Sequence, residues 1–320
     1  MIRLIIMILL ISSPLITYSK SSNLGESGHF WCGERFLGSG LNIFGDQDES
    51  IAVKGYIYVL AAALALQKNN DEGITHWFSK PKRMEIIETP PPLKSGFQAI
   101  TFRIKPLNVG ESDQIVVAFT GSDQYIDWRT NILRSRTQYD EAVSYIEKIH
   151  SNYIRNKEKI IVTGISLGGG LAVHVTKNRL TKDYIKQAWA INPSPVTYSD
   201  DENDERIWLI YSRGEILSFV RDSRILSFLR GMSKIGAPSN QVGKDYNLIK
   251  SNSIYAHFRW VITREILFAA DYALTNRGQK SFHTEPLDIL KLSSFQSCKH
   301  VAELNNTDDV MGRNQKLQSK

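Results

Sequence analysis

The chain has 320 residues, 42% hydrophobic and 22% charged, an ordinary globular composition with enough apolar material for one large domain or two small ones. Its formal net charge of +6 comes from basic residues scattered along the chain, which argues against a nucleic-acid footprint and leaves only a mild attraction to anionic lipid surfaces. No Cys-x-x-Cys, no His-x-x-x-His and no Cys/His cluster is present, so no metal or other cofactor is expected.

Residues 1–19 read as an export signal: Arg3 supplies the positive start, Leu4 to Ile11 form an apolar run, and Thr17-Tyr18-Ser19 places small residues at a cleavage site. The alternative is an uncleaved anchor, but the apolar stretch to Ile16 is short for a membrane span and contains Ser12, Ser13 and Pro14. A secreted or periplasmic protein is therefore expected, with one domain over residues 20–302 and a polar tail over 303–320. In an exported chain Cys32 and Cys298 permit one disulfide, although sequence cannot show that they meet.

Ser21 to Ser50 reads as an irregular lead-in, rich in Gly, Ser and Asp. Tyr56, Val59, Leu60, Ala63 and Leu64 then recur at helical spacing, predicting a first helix that ends before Lys68. After the proline break of Thr89 to Pro92, the stretch Gly96 to Ile104 favours β-structure, and Ile115 to Phe119 is an apolar run suited to a strand buried on both faces. Tyr139, Ala142, Val143, Ile146 and Ile149 form one stripe of period near 3.6, predicting an amphipathic helix. A strand over Lys159 to Thr163, a helix over Leu167 to Leu180, and strands over Ala188 to Ile191 and Ile207 to Tyr211 follow, the last two separated by the acidic loop Ser199 to Arg206. Strands alternating with helices predict an α/β fold with a mostly parallel sheet and helices on both faces. From Leu217 to Lys250 the pattern is irregular, with basic residues such as Arg221, Arg224, Arg230 and Lys234 among apolar ones, and reads as a helical insertion or cap. Phe258, Val261, Ile262, Ile266 and Leu267 predict a final helix.

The chemistry-bearing element is Gly164-Ile165-Ser166-Leu167-Gly168, which follows a strand and opens a helix. A nucleophilic serine must stand on a sharp turn, where its hydroxyl reaches both a base and a carbonyl carbon, and small residues on either side permit that turn. A phosphate-binding loop is disfavoured, because no Gly-Lys-Ser, Gly-Lys-Thr or Gly-x-Gly-x-x-Gly element occurs here.

Two blocks in order, Ile115-Val116-Val117-Ala118-Phe119-Thr120-Gly121-Ser122 with Asp127-Trp128 and Asn131, then Ile161 to Ala172 around Ser166, resemble the class 3 (fungal-type) lipases and their bacterial relatives. The resemblance runs from about Tyr56 to Arg221 and implies the α/β-hydrolase fold. It implies that the backbone N–H and hydroxyl of Ser122 and the backbone N–H of Leu167 face the oxyanion, and that Asp127-Trp128 lies in or beside a lid or plays a structural part. Ile165 departs from the family, which usually has histidine before the nucleophile.

In hydrolases of this fold the acid and then the histidine follow the serine in the chain. Glu215, in Ser212-Arg213-Gly214-Glu215-Ile216-Leu217, stands where the lipases carry an acid before an apolar pair, with Asp200, Asp204 and Asp222 as rivals. His257 directly precedes the last predicted helix, as the family's histidine does; His283 and His300 are rivals, and His174 reads as helix packing. The expected activity is a serine esterase for lipid carboxylic esters, of lipase or phospholipase type, with transient contact at a membrane surface. A thioesterase, a peptidase or an inactive scaffold that binds lipid or a protein are the alternatives on the same core.

Overall fold

The structure, a computed structural model, describes residues 44–67, 76–120, 136–155, 158–218, 221, 232, 234–248, 253–275 and 283–295. The export signal, both cysteines, Ser122, Asp127, Trp128, Asn131, Asp222, His300, the polar tail and residues 219–220, 222–231, 233 and 249–250 of the expected cap lie outside the described residues.

The centre is a seven-stranded sheet whose spatial order follows the chain: β2 (Met84–Glu88), β3 (Ala99–Ile104), β4 (Gln114–Phe119), β5 (Ile160–Ile165), β6 (Ile185–Ile191), β7 (Ile207–Ser212) and β8 (Val242–Tyr246). β2, β3 and β4 pair antiparallel, and β4 to β8 run parallel. A separate two-stranded pair joins β1 (His76–Trp77) to β9 (Ser294–Phe295). The helices given by the described residues are α1 (Asp46–Ala65), α2 (Thr137–Tyr153), α3 (Leu167–Lys177), α4 (Arg259–Leu274) and α5 (Glu285–Leu292). Among the described residues no helix is long and apolar enough to cross a membrane.

Alternation along the strands divides the core in two. Val116, Ala118, Ile161, Ile165, Trp189 and Ile191 pack with α1 and α4 on one face. Val117, Phe119, Ile160, Val162, Ala188 and Ala190 pack with α2 and α3 on the other. The segments holding α2 and α3 each step one strand across the sheet in the same direction, and right-handed connections then put both helices on one face. The second face is left for α1 and α4 to cover. There Gly55 permits a close approach, because a Cβ at that position would lie 2.3 Å from the Trp189 ring. Trp189 itself stacks on Trp208 with ring centroids 4.8 Å apart.

The structure corrects four expectations of the element order. Helix α1 starts at Asp46, inside the expected lead-in, because Asp46, Asp48 and Glu49 sit in the first turn, where carboxylates favour the positive end of the helix dipole. Asp48 is also buried and accepts from the Lys244 N–H at 3.1 Å, joining α1 to β8. The edge strands β2 and β8 carry charged residues and show no apolar run, so they escape notice in the sequence, and β8 turns part of the stretch Leu217 to Lys250, expected as a helical insertion or cap, into a strand of the main sheet. Helix α4 is followed by α5, whose N-cap Thr284 accepts from the Leu287 N–H at 3.2 Å.

Candidate active site

Ser166 joins β5 to α3 with φ 58° and ψ −120°, a conformation that L residues rarely adopt and that costs about 1–3 kcal/mol. Neighbouring backbone holds it there. Its N–H donates to Ile191 O at 3.0 Å, and its carbonyl accepts from Ser194 N at 2.9 Å and Gly170 N at 3.1 Å. The flanking glycines are needed for space. A Cβ on Gly164 would lie 2.2 Å from the Gly168 carbonyl carbon, and a Cβ on Gly168 would lie 2.3 Å from Phe119 O. Ile165, where the lipases usually have histidine, is buried in the apolar core on the α1 side of the sheet, so it supports the turn from beneath.

Glu215 follows β7 through Gly214, which has φ 68°, and its side chain is fully buried. Its Oε2 accepts from His257 Nδ1 at 2.6 Å and from the Leu217 N–H at 2.9 Å. Oε1 accepts from Arg221 Nη2. Arg221 also donates through Nη1 to Pro193 O at 2.8 Å and lies over the Tyr211 ring, 4.5 Å from its centroid. Burial alone would push the Glu215 carboxyl up. The charge of Arg221, the His257 bond and the Leu217 N–H outweigh it and hold Glu215 below the ordinary glutamate value of 4.5.

His257 closes a short 3₁₀ turn, Tyr255–His257, between β8 and α4. An ionised carboxylate only accepts, so Nδ1 carries the proton and Nε2 of the neutral ring presents its lone pair. Nε2 is buried and has no hydrogen-bond partner among the described residues. Ser166 follows β5, Glu215 follows β7 and His257 lies beyond β8, so all three follow carboxyl ends of the parallel strands, where open α/β sheets bind ligands.

The rival residues are placed differently. His174 is buried in α3, and its Nδ1 donates to Thr197 O at 2.8 Å. His283 is exposed beside α5, 3.9 Å from Asp288. Asp200 pairs with Lys177, and Asp204 pairs with Arg206 at 2.6 Å. Leu167 opens α3, and the N–H of a first helical residue has no acceptor within its own helix. Arg221 is the participant that sequence reasoning counts only as one basic residue of an irregular segment. Its spacing of six residues from Glu215 carries no recognisable signal.

Residues 66–252 match the family model described as a Tle-like phospholipase domain. Among solved structures, the chain is similar to a Rhizomucor miehei lipase propeptide complex, at 14% identity and TM-score 0.41, over 69% of this chain and 83% of that one. It is also similar to a Pyrobaculum calidifontis esterase, at 13% identity and TM-score 0.33, over 75% of this chain and 96% of that one. No curated protein matches the chain. The family match spans more than half of the sequence and takes in the Ser166 turn, the Glu215 turn and every strand of the parallel sheet, so the chain belongs to the Tle-like phospholipase domain family.

Proposed function

We propose that the protein is an exported serine esterase that cleaves carboxylic-ester bonds of phospholipids and related lipids through an acyl-enzyme on Ser166. The observation that carries this reading is the 2.6 Å bond from His257 Nδ1 to the buried Glu215, at the same edge of the sheet as the strained Ser166 turn. His257 Nε2 takes the proton of Ser166 Oγ as that oxygen attacks the ester carbonyl carbon. The carbonyl oxygen gains negative charge, which the N–H groups of Leu167 and Ser122 and the Ser122 hydroxyl receive. Removing one such donor typically costs about 2.7–4 kcal/mol of barrier. Collapse of the intermediate expels the alcohol, which takes the proton from His257. Water, deprotonated by the same nitrogen, then releases the fatty acid and restores Ser166. Glu215 orients His257 and balances the imidazolium that forms in each half-reaction.

Export rests on the pattern of residues 1–19, and contact with an anionic lipid surface rests on the net charge of +6 and the basic, apolar segment Leu217 to Lys234. A fluorophosphonate probe tests the centre of the proposal. Labelling at Ser166 is expected, and wild-type protein that stays unlabelled under conditions that modify known esterases would sink it. A panel of phospholipids, triacylglycerols and short p-nitrophenyl esters then ranks the substrates. Mature protein recovered outside the cytoplasm with a shortened N-terminus is the expected result for export.

A further inference from the structure

Asn192 is the first residue after β6, the strand between the nucleophile strand β5 and the acid strand β7. It is fully buried and has φ 40° in the left-handed region. The carbonyl just before it, Ile191 O, accepts the Ser166 N–H at 3.0 Å, and its own N–H donates to Ile210 O at 2.8 Å. Its carboxamide reaches the last residue of β7 and the turn that carries His257. Oδ1 accepts from the Ser212 N–H at 2.8 Å, while Nδ2 donates to Ser212 Oγ at 3.3 Å and to Ala256 O at 3.2 Å. A backbone N–H can bond only the amide oxygen and a carbonyl only the amide nitrogen, so these partners fix the orientation of the side chain.

We infer that Asn192 is a positioning residue that sets the acid turn and the histidine loop in register with each other and with the nucleophile turn. Ser212 is three residues before Glu215, and Ala256 directly precedes His257. The Glu215–His257 bond bridges loops from separate strands, and the Asn192 carboxamide is a second bridge between them. Glycine would close the end of β6 with less backbone strain. The buried amide is compatible with that place because both of its hydrogens and its oxygen find partners. Loops left to rotate about their own strand ends lose the alignment of His257 with Ser166, and misplacement of a reacting group by about 1 Å costs on the order of 100-fold in rate.

This inference rests on the proposed esterase reaction, and two variants test it. Asn192→Asp keeps the size and the acceptor for the Ser212 N–H but replaces the donor that faces Ala256 O. Asn192→Gly removes all three side-chain bonds and suits the backbone angle. Active sites are counted by fluorophosphonate labelling run to completion, and turnover of a short p-nitrophenyl ester is expressed per labelled site. The expected result is a kcat per site lowered by roughly 10–100-fold in both variants, with KM changed by less than about threefold. A residue needed only for folding would reduce the number of sites and leave kcat per site at the wild-type value. That outcome in the Asp variant overturns the inference alone, whereas wild-type protein that takes no label overturns the esterase reading and the inference together.

Discussion

Glu215 and His257 stand 42 residues apart in the chain and share a 2.6 Å hydrogen bond through Oε2 and Nδ1. Each carboxylate oxygen has a different basic partner, since Arg221 occupies Oε1. Glu215→Gln keeps an oxygen for Nδ1 but loses the charge that balances the imidazolium. A fall in kcat of about 10³–10⁴-fold on a short p-nitrophenyl ester is expected, and a rate within threefold of wild type would remove Glu215 from the reaction. Ser166→Ala and His257→Ala should each abolish nearly all turnover, because members of such a set act as a unit.

Arg221→Gln removes the guanidinium from a buried carboxylate that then keeps only the His257 Nδ1–H and the Leu217 N–H as donors. Breaking a buried ion pair by removing one partner costs about 3–5 kcal/mol, and the small exposure of Arg221 puts the expected loss toward the lower end. The sign of the pH effect follows from the depressed value of Glu215. That depression contributes stability at pH values above the ordinary glutamate range, and the contribution is lost as pH falls through the folded value. Without Arg221 the folded value rises toward the ordinary one, so the variant, already less stable at pH 7, should lose less further stability than wild type as pH falls below the glutamate range. Urea unfolding at pH 7 and at mildly acidic pH values measures both effects, and identical curves for wild type and variant would refute them.

His76 supplies a second acid-sensitive contribution. Its ring stacks on Trp260 with centroids 3.9 Å apart, and burial, then the charges of Arg264 and Arg259, lower its pKa from 6.5 to about 4. The neutral ring suits the fold, so this contribution is complete above pH 6.5 and declines as pH falls toward about 4. His76→Phe keeps an aromatic stack and should flatten the pH dependence of stability across that window. Parallel pH profiles for the two proteins would exclude the effect.

Gly168→Ala should damage the nucleophile turn directly. The added Cβ would stand 2.3 Å from Phe119 O and 3.0 Å from Phe119 C, both backbone atoms that cannot swing aside. Overpacking of this kind costs about 1–3 kcal/mol or more, so a lowered thermal midpoint and loss of Ser166 labelling are expected together. Normal labelling in a protein of wild-type stability would show that α3 can shift away from β4.

Side-chain pattern along the chain records one part of the fold. Strands β4 to β7 are buried, or nearly so, on both faces and announce themselves as apolar runs, and α2 shows its stripe because one side faces the sheet. The Ser166 turn was legible for a related reason, since its steric demands fall on Gly164 and Gly168, two positions away on either side. Glu215 and His257 could be chosen from chain order and resemblance, but their separation from Asp200, Asp204 and His283 required to know which side chains meet. Edge strands β2 and β8 were silent because backbone hydrogen bonds on one side hold them while charged side chains face outward. That Arg221 closes the second oxygen of Glu215 and that Asn192 links Ser212 to Ala256 emerges only when the chain is folded. Such contacts join loops that the sheet brings together from distant parts of the chain, and no local periodicity encodes that distance.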